Sequence, residues 1–264
     1  MNRIKKKFNA LSEKGEKALI AYIMAGDPNL SETERIVLEL EKSGADLIEL
    51  GVPFSDPVAD GPTIQKAAER ALLNGVSLQM VLERVVSIRK KSKIPILLMT
   101  YLNPVCTFGI ELFFKEARQS FVDGVIIPDL PLEEAMPFLK WSRRYQIDLI
   151  FLVAPTTPME RISKIVTAAS GFIYYVSLTG ITGAAINKIA EVTENISKVK
   201  SKTHLPVAAG FGISNEAEAK EISRISDGVI IGSLFVKTIE TAPHDPLYLE
   251  RLSQQTIAFK KALR

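Results

Sequence analysis

The chain has 264 residues, 47% of them hydrophobic and 24% charged, with a net charge of +3. That balance describes a folded globular chain with ample core and argues against disorder and against nucleic acid as the main partner. Its one cysteine, Cys106, excludes an internal disulfide, and two histidines, His204 and His244, cannot build a multi-histidine metal site unless they meet in space.

Lys5, Lys6 and Lys7 ahead of the apolar run Ala18–Ala25 have the outline of a signal peptide. Glu13, Glu16 and Lys17 interrupt it, and no cleavage site follows. No stretch approaches the ~20 apolar residues of a membrane span. A cytoplasmic chain that binds no membrane is the expectation.

Residues 2–13 carry Ile4, Phe8 and Leu11 on one face and predict a short helix. Ala18–Met24 is the first strand. A helix runs from Ser31 to Ser43, with Ser31 as N-cap and Glu34 completing a capping box. Leu47–Leu50 is the second strand. Helical patterns follow over Thr63–Leu73 and Ser77–Lys91. Strands Ile94–Tyr101, Gly124–Ile127, Ile147–Val153, Phe172–Ser177, Pro206–Ala209 and Gly228–Ile231 come next. Helices Gly109–Gln119, Glu133–Tyr145, Met159–Ala168, Ile186–Ser201 and Asn215–Ser223 separate them. One or two helical turns over 233–240 and a helix Pro246–Ala262 end the chain. Short apolar strands alternating with helices require right-handed crossovers and a parallel sheet. Eight units without a linker predict one α/β domain over 1–264: a (β/α)8 TIM barrel with an extra N-terminal helix. No residue motif repeats along the units.

In such folds the chemistry gathers where strands end. Glu49 interrupts the apolar run Leu47-Ile-Glu-Leu50, where an unpaired carboxylate is costly. If Leu47 points into the barrel, so does Glu49, one layer nearer the mouth. Asp56 and Asp60 follow in a Pro- and Gly-rich loop. Taken alone, Asp60 could simply order a turn. Gly210-Phe-Gly212 and Gly232-Ser233 follow the seventh and eighth strands, where barrels often bind phosphate through backbone N–H groups. Tyr22, Tyr101, Tyr174 and Phe211 stand at or just past strand ends and are read as the walls of a flat apolar pocket. No strand from the second to the eighth carries an interior lysine, which disfavours Schiff-base chemistry.

The stretch Glu-Leu-Gly-Val-Pro-Phe-Ser-Asp-Pro-Val-Ala-Asp-Gly-Pro-Thr-Ile-Gln (49–65) resembles the signature of the tryptophan synthase alpha chain family. The likeness runs from Ala21-Tyr-Ile-Met-Ala-Gly-Asp-Pro28 to Gly232-Ser233. It implies retro-aldol cleavage of indole-3-glycerol phosphate to indole and glyceraldehyde 3-phosphate, with Glu49 and Asp60 as catalytic acids. It places Tyr174 and Thr182 beside the substrate and makes Gly183 the third contributor to the phosphate site, with Gly212, Gly232 and Ser233. It implies docking of a beta chain at Pro53, Asp56 and Pro57 and at Asn103 and Pro104, in an alpha-beta-beta-alpha heterotetramer. Pyridoxal phosphate (PLP) is expected only in that beta partner; no metal or cofactor is expected in this chain. The loop after the sixth strand departs from the family: Leu178 stands where many members have arginine, and Ala185-Ile186 replace a polar pair. Two rival readings stay open. One is a catalytically weak subunit that activates the beta chain allosterically. The other is a phosphosugar isomerase or epimerase on the same barrel.

Overall fold

The computed structural model describes residues 3–176, 186–210 and 212–264, with residues 186–189 as backbone alone. Leu178, Thr182, Gly183 and Phe211, all named above, lie outside the described residues.

Helix α1 (Arg3–Glu13) precedes strand β1 (Ala18–Met24) and helix α2 (Leu30–Lys42). Strand β2 (Leu47–Gly51) leads to α3 (Pro62–Leu73) and α4 (Leu78–Arg89). Strand β3 (Ile96–Met99) leads to α5 (Leu102–Phe108) and α6 (Ile110–Gln119), and β4 (Gly124–Ile126) to α7 (Met136–Tyr145). Then come β5 (Asp148–Val153), α8 (Met159–Ala168), β6 (Ile173–Val176) and α9 (Ile186–Lys200). Strand β7 (Val207–Gly210), α10 (Glu216–Ser223), β8 (Gly228–Ile231), α11 (Ser233–Glu240) and α12 (Tyr248–Ala262) complete the chain. The strands form a closed barrel in sequence order, with β8 pairing parallel to β1.

Alternation along the strands sorts the apolar residues into two cores. Ala18, Ile20, Leu47, Leu97, Ile126, Ile150, Phe172, Ala208 and Ile230 fill the barrel interior. Their outward neighbours, such as Leu19, Ile48, Leu98 and Val229, pack under the helices. Helix α1 belongs to the inner core. Its Ile4, Phe8 and Leu11 close the N-terminal end of the barrel, and the Phe8 ring lies 5.7 Å from that of Phe172. Each such burial contributes about 1.5–3 kcal/mol.

The expected boundaries need three corrections. The N-cap of α2 is Asn29, whose side chain accepts from the Glu32 N–H; Ser31 lies within the helix. Glu34, expected in a capping box, is instead buried between helices. It accepts from Ser87, Arg84 and Lys91 of the α4 region, which hold its carboxyl down at about 2. Asn103 and Pro104, which follow the expected third strand, sit in the first turn of α5, a helix not expected there. Pro is tolerated there because the missing N–H has no intrahelical partner to lose.

The closed end of the barrel also carries a repeat that the linear sequence does not display. Asp46, just before β2, accepts a hydrogen bond from Leu19 N of β1 at 2.9 Å. Asp123, before β4, does the same for Ile96 N of β3, and Asp227, before β8, for Val207 N of β7, each at 2.9 Å. Ser170, before β6, serves Leu149 N of β5 at 3.0 Å. Side chains ahead of the even strands thus satisfy N–H groups at the start of the odd ones. Two of these aspartates are also buried ion-pair partners: Asp46 of Lys260 at 2.9 Å and Asp123 of Arg89 at 2.7 Å.

Candidate active site

The opposite end, where the strands point their C-termini, opens into a cavity of about 510 Å³. Glu49 lies on its floor. Strand parity puts it inside with Leu47, as expected, and it is 0% exposed. Neither carboxyl oxygen has a hydrogen-bond partner among the described residues. An ionised carboxylate without partners in such a place is strongly disfavoured, so it keeps its proton. Burial first, and the charge of Asp60 second, push Glu49 up to about 8.

Asp60 reaches the same cavity from the loop between β2 and α3. That loop is shaped locally: Val58 N donates to Asp56 O at 2.9 Å and Asp60 N to Pro57 O at 3.0 Å. Gln65 of α3 donates to Asp60 O at 2.8 Å, and Gly61-Pro62 starts the helix directly behind. Burial raises Asp60 to about 6, against a lowering hydrogen bond from Tyr101. The two carboxyls therefore differ: near neutrality Glu49 holds a proton and Asp60 does not.

The tyrosines divide their work. Tyr22 and Tyr174 line the cavity beside Glu49 and Asp60. Burial and then those two carboxylates hold both phenols well above their ordinary range. Tyr101 is not among the lining residues. It stands behind Asp60, its hydroxyl accepting from Ala59 N at 3.1 Å and its ring 5.4 Å from Phe54. It shapes the acid's loop, where a pocket wall was expected. Met99, Leu152, Ile230 and Ile64 supply the apolar walls in its stead. The first three are interior residues on their strands, and counting alternation on every strand would have found them.

Gly212, Gly232 and Ser233 line the other side of the cavity. Gly212 has φ +68°, the left-handed region that favours glycine. Gly232 caps α11 and Ser233 is its first residue. The free N–H groups of that helix start and its dipole suit an anion. Of the other residues singled out, Asp56 and Asn103 are exposed, Pro57 and Pro104 half-buried, and Pro53 buried. Pro53 therefore shapes the loop from beneath and presents no free surface for docking. No group of three or more possible metal ligands occurs among the described residues, and no single described helix is long and apolar enough to cross a membrane.

A closed parallel barrel with two unlike carboxyls in its C-terminal mouth defines the TIM-barrel class of enzyme. The family model described as "Tryptophan synthase alpha chain" matches residues 8–264. The tryptophan synthase alpha chain of Geotalea uraniireducens is 48% identical over 264 residues, covering 100% of this chain and 98% of its own. That of Caldanaerobacter subterraneus is 44% identical over 263 residues, covering 100% of both. The solved tryptophan synthase subunit alpha of Legionella pneumophila superposes with a TM-score of 0.93 at 37% identity, covering 100% of this chain and 98% of that one. A chain of a Mycobacterium tuberculosis tryptophan synthase structure, in an aminoacrylate-bound form, gives 0.89 at 33% identity, covering 100% of both chains. The chain belongs to the tryptophan synthase alpha chain family. It is a lyase subunit whose reaction is the cleavage of indole-3-glycerol phosphate, and membership implies a beta-subunit partner, to which PLP belongs. The isomerase and epimerase reading is thereby set aside.

Proposed function

We propose that Glu49 and Asp60 divide the cleavage of indole-3-glycerol phosphate between them. Asp60, ionised, accepts a hydrogen bond from the indole N–H and stabilises positive charge developing on the ring. Glu49, protonated, delivers its proton to ring carbon 3. The resulting carboxylate takes the proton of the chain hydroxyl next to the ring. Those O–H electrons form the aldehyde C=O, the C–C bond breaks, and its electron pair restores the indole. Glu49 is protonated again, so atoms and charge balance within this chain without a cofactor. The observation that supports this most is Glu49 itself: a fully buried, unpartnered carboxyl facing a second carboxylate across one cavity. A group that gives and then takes a proton works best with a pKa near the working pH.

The phosphate of the substrate rests on the N–H groups around Gly212, Gly232 and Ser233, with Gly183 as a further contributor. Tyr174, Thr182 and Phe211 contact the indole end. The chain acts as one cytoplasmic domain over 1–264 and joins two beta chains and a second copy of itself in an alpha-beta-beta-alpha heterotetramer. Exposed Asp56 and Asn103, with Pro57 and Pro104, form the docking edge. Asp56 shares its loop with Asp60, so docking orders the catalytic loop and raises the rate.

The test is cleavage of indole-3-glycerol phosphate by the purified chain, alone and with its beta chain. Cleavage is expected alone and at least about tenfold faster in the complex, about 1.4 kcal/mol of barrier, with inorganic phosphate competing against substrate. No cleavage in either state overturns the proposal. Binding of the beta chain without acceleration overturns the coupling.

A further inference from the structure

Tyr22 projects into the barrel, on the parity of Ala18 and Ile20, and pairs in register with Glu49 of the neighbouring strand. Its ring is held between two glycines of opposite flanks. A Cβ at Gly232, after β8, would lie 3.5 Å from the Tyr22 Cβ and Cδ1. A Cβ at Gly51, at the end of β2, would come within 2.4 Å of the Tyr22 hydroxyl oxygen. Gly51 thus gives the phenol its room. The side chain spans the cavity floor from the turn that begins α11 to the strand that carries Glu49.

That hydroxyl is unspent. Tyr22 is 5% exposed and lines the cavity; its hydroxyl makes no hydrogen bond with a described residue and is open to the cavity, not sealed among protein atoms. A phenol O–H that borders a cavity and is engaged by no protein group is free for an acceptor that arrives with the ligand. Its place names the acceptor. A molecule with its phosphate at Ser233 and its ring by Asp60 must lay its three-carbon chain across Tyr22. The oxygens of that chain are the groups that come within reach of the phenol.

We propose that the Tyr22 hydroxyl is a further substrate-binding group, donating a hydrogen bond to an oxygen of the glycerol chain between the phosphate and the indole ring. This rests on the assignment of indole-3-glycerol phosphate as substrate, and it moves Tyr22 from the indole wall to the middle of the ligand. The phenol keeps its proton throughout, since burial and the adjacent carboxylates hold it well above its ordinary range.

The experiment compares two ligands. Indole-3-glycerol phosphate carries the chain hydroxyls; 3-indolylpropyl phosphate lacks them. Binding is measured in the Glu49→Gln background, where turnover is slowed, with and without Tyr22→Phe. Tyr22→Phe should weaken the glycerol ligand about tenfold, the worth of one good hydrogen bond, and leave the propyl ligand unchanged. In the otherwise unaltered enzyme the same substitution should lower kcat/KM by a similar factor. Equal weakening of both ligands would make Tyr22 a packing residue, and no weakening of either would remove the contact; both overturn the proposal. Failure of the unaltered chain to cleave the substrate would instead defeat the assignment of the reaction, a separate readout.

Discussion

Replacing Glu49 by Gln is expected to slow indole formation about 10²–10⁴-fold, the usual worth of general acid–base help, and to stabilise the fold at the same time. The two effects share one cause. The barrel holds this carboxyl without a hydrogen-bond partner and raises its pKa from 4.5 to about 8. The folded state therefore keeps a proton that the unfolded chain releases, and stability falls as pH rises from about 4.5 towards 8. Below that window both states are protonated and Glu49 costs nothing electrostatically. Above it the cost is complete, on the order of a few kcal/mol. Gln carries no ionisation, so the variant's advantage should be near zero at pH 4 and largest at pH 8 and above. Denaturant melts at pH 4, 6 and 8 measure it. A stability difference that does not change with pH would mean that Glu49 is not held protonated, and undiminished cleavage would remove it from the mechanism.

At the other end of the barrel, Asp123→Ala should cost about 3–5 kcal/mol of stability, the usual consequence of stranding one member of a buried ion pair. Asp123 is 4% exposed and accepts from Arg89 at 2.7 Å, from Arg3 at 2.9 Å and from Ile96 N at 2.9 Å. The Arg89 side chain is itself only 5% exposed. Removing the carboxylate leaves a buried guanidinium, loosens α1 and frees a strand N–H in one step. Urea melts read the loss as a lower midpoint; a shift worth less than ~1 kcal/mol would show that water replaces the carboxylate readily. Residual activity of the folded fraction should stay normal, because the site lies at the far mouth.

The site was legible where local pattern and chemistry coincide. Leu47-Ile-Glu-Leu50 alternates visibly, so pattern alone places Glu49 inside, and Asp-Gly-Pro at 60–62 marks a helix start. Contacts between distant segments were not legible. Tyr101 looks like any strand-end aromatic, and only folding brings it behind Asp60. Asp46, Asp123, Ser170 and Asp227 differ in type and spacing, and their common role exists only once odd and even strands lie side by side. The cap of α2 is locally ambiguous: Asn29 and Ser31 are both strong N-cap residues two positions apart, and pattern alone cannot choose between them. Asn103-Pro104 has turn chemistry that also opens a helix, so pattern alone does not reveal α5.

The pH dependence of kcat/KM for cleavage by the unaltered chain tests the central claim most directly. The competent form has Glu49 protonated and Asp60 ionised. Activity should therefore fall below about pH 6, as Asp60 gains a proton, and above about pH 8, as Glu49 loses one. The two carboxyls interact, so these limbs belong to the pair. A bell between those limits, with the acid limb abolished in Asp60→Asn at a reduced plateau, is the predicted result. A profile flat from pH 5 to 9, or one that rises throughout, would contradict the division of labour between the two carboxyls.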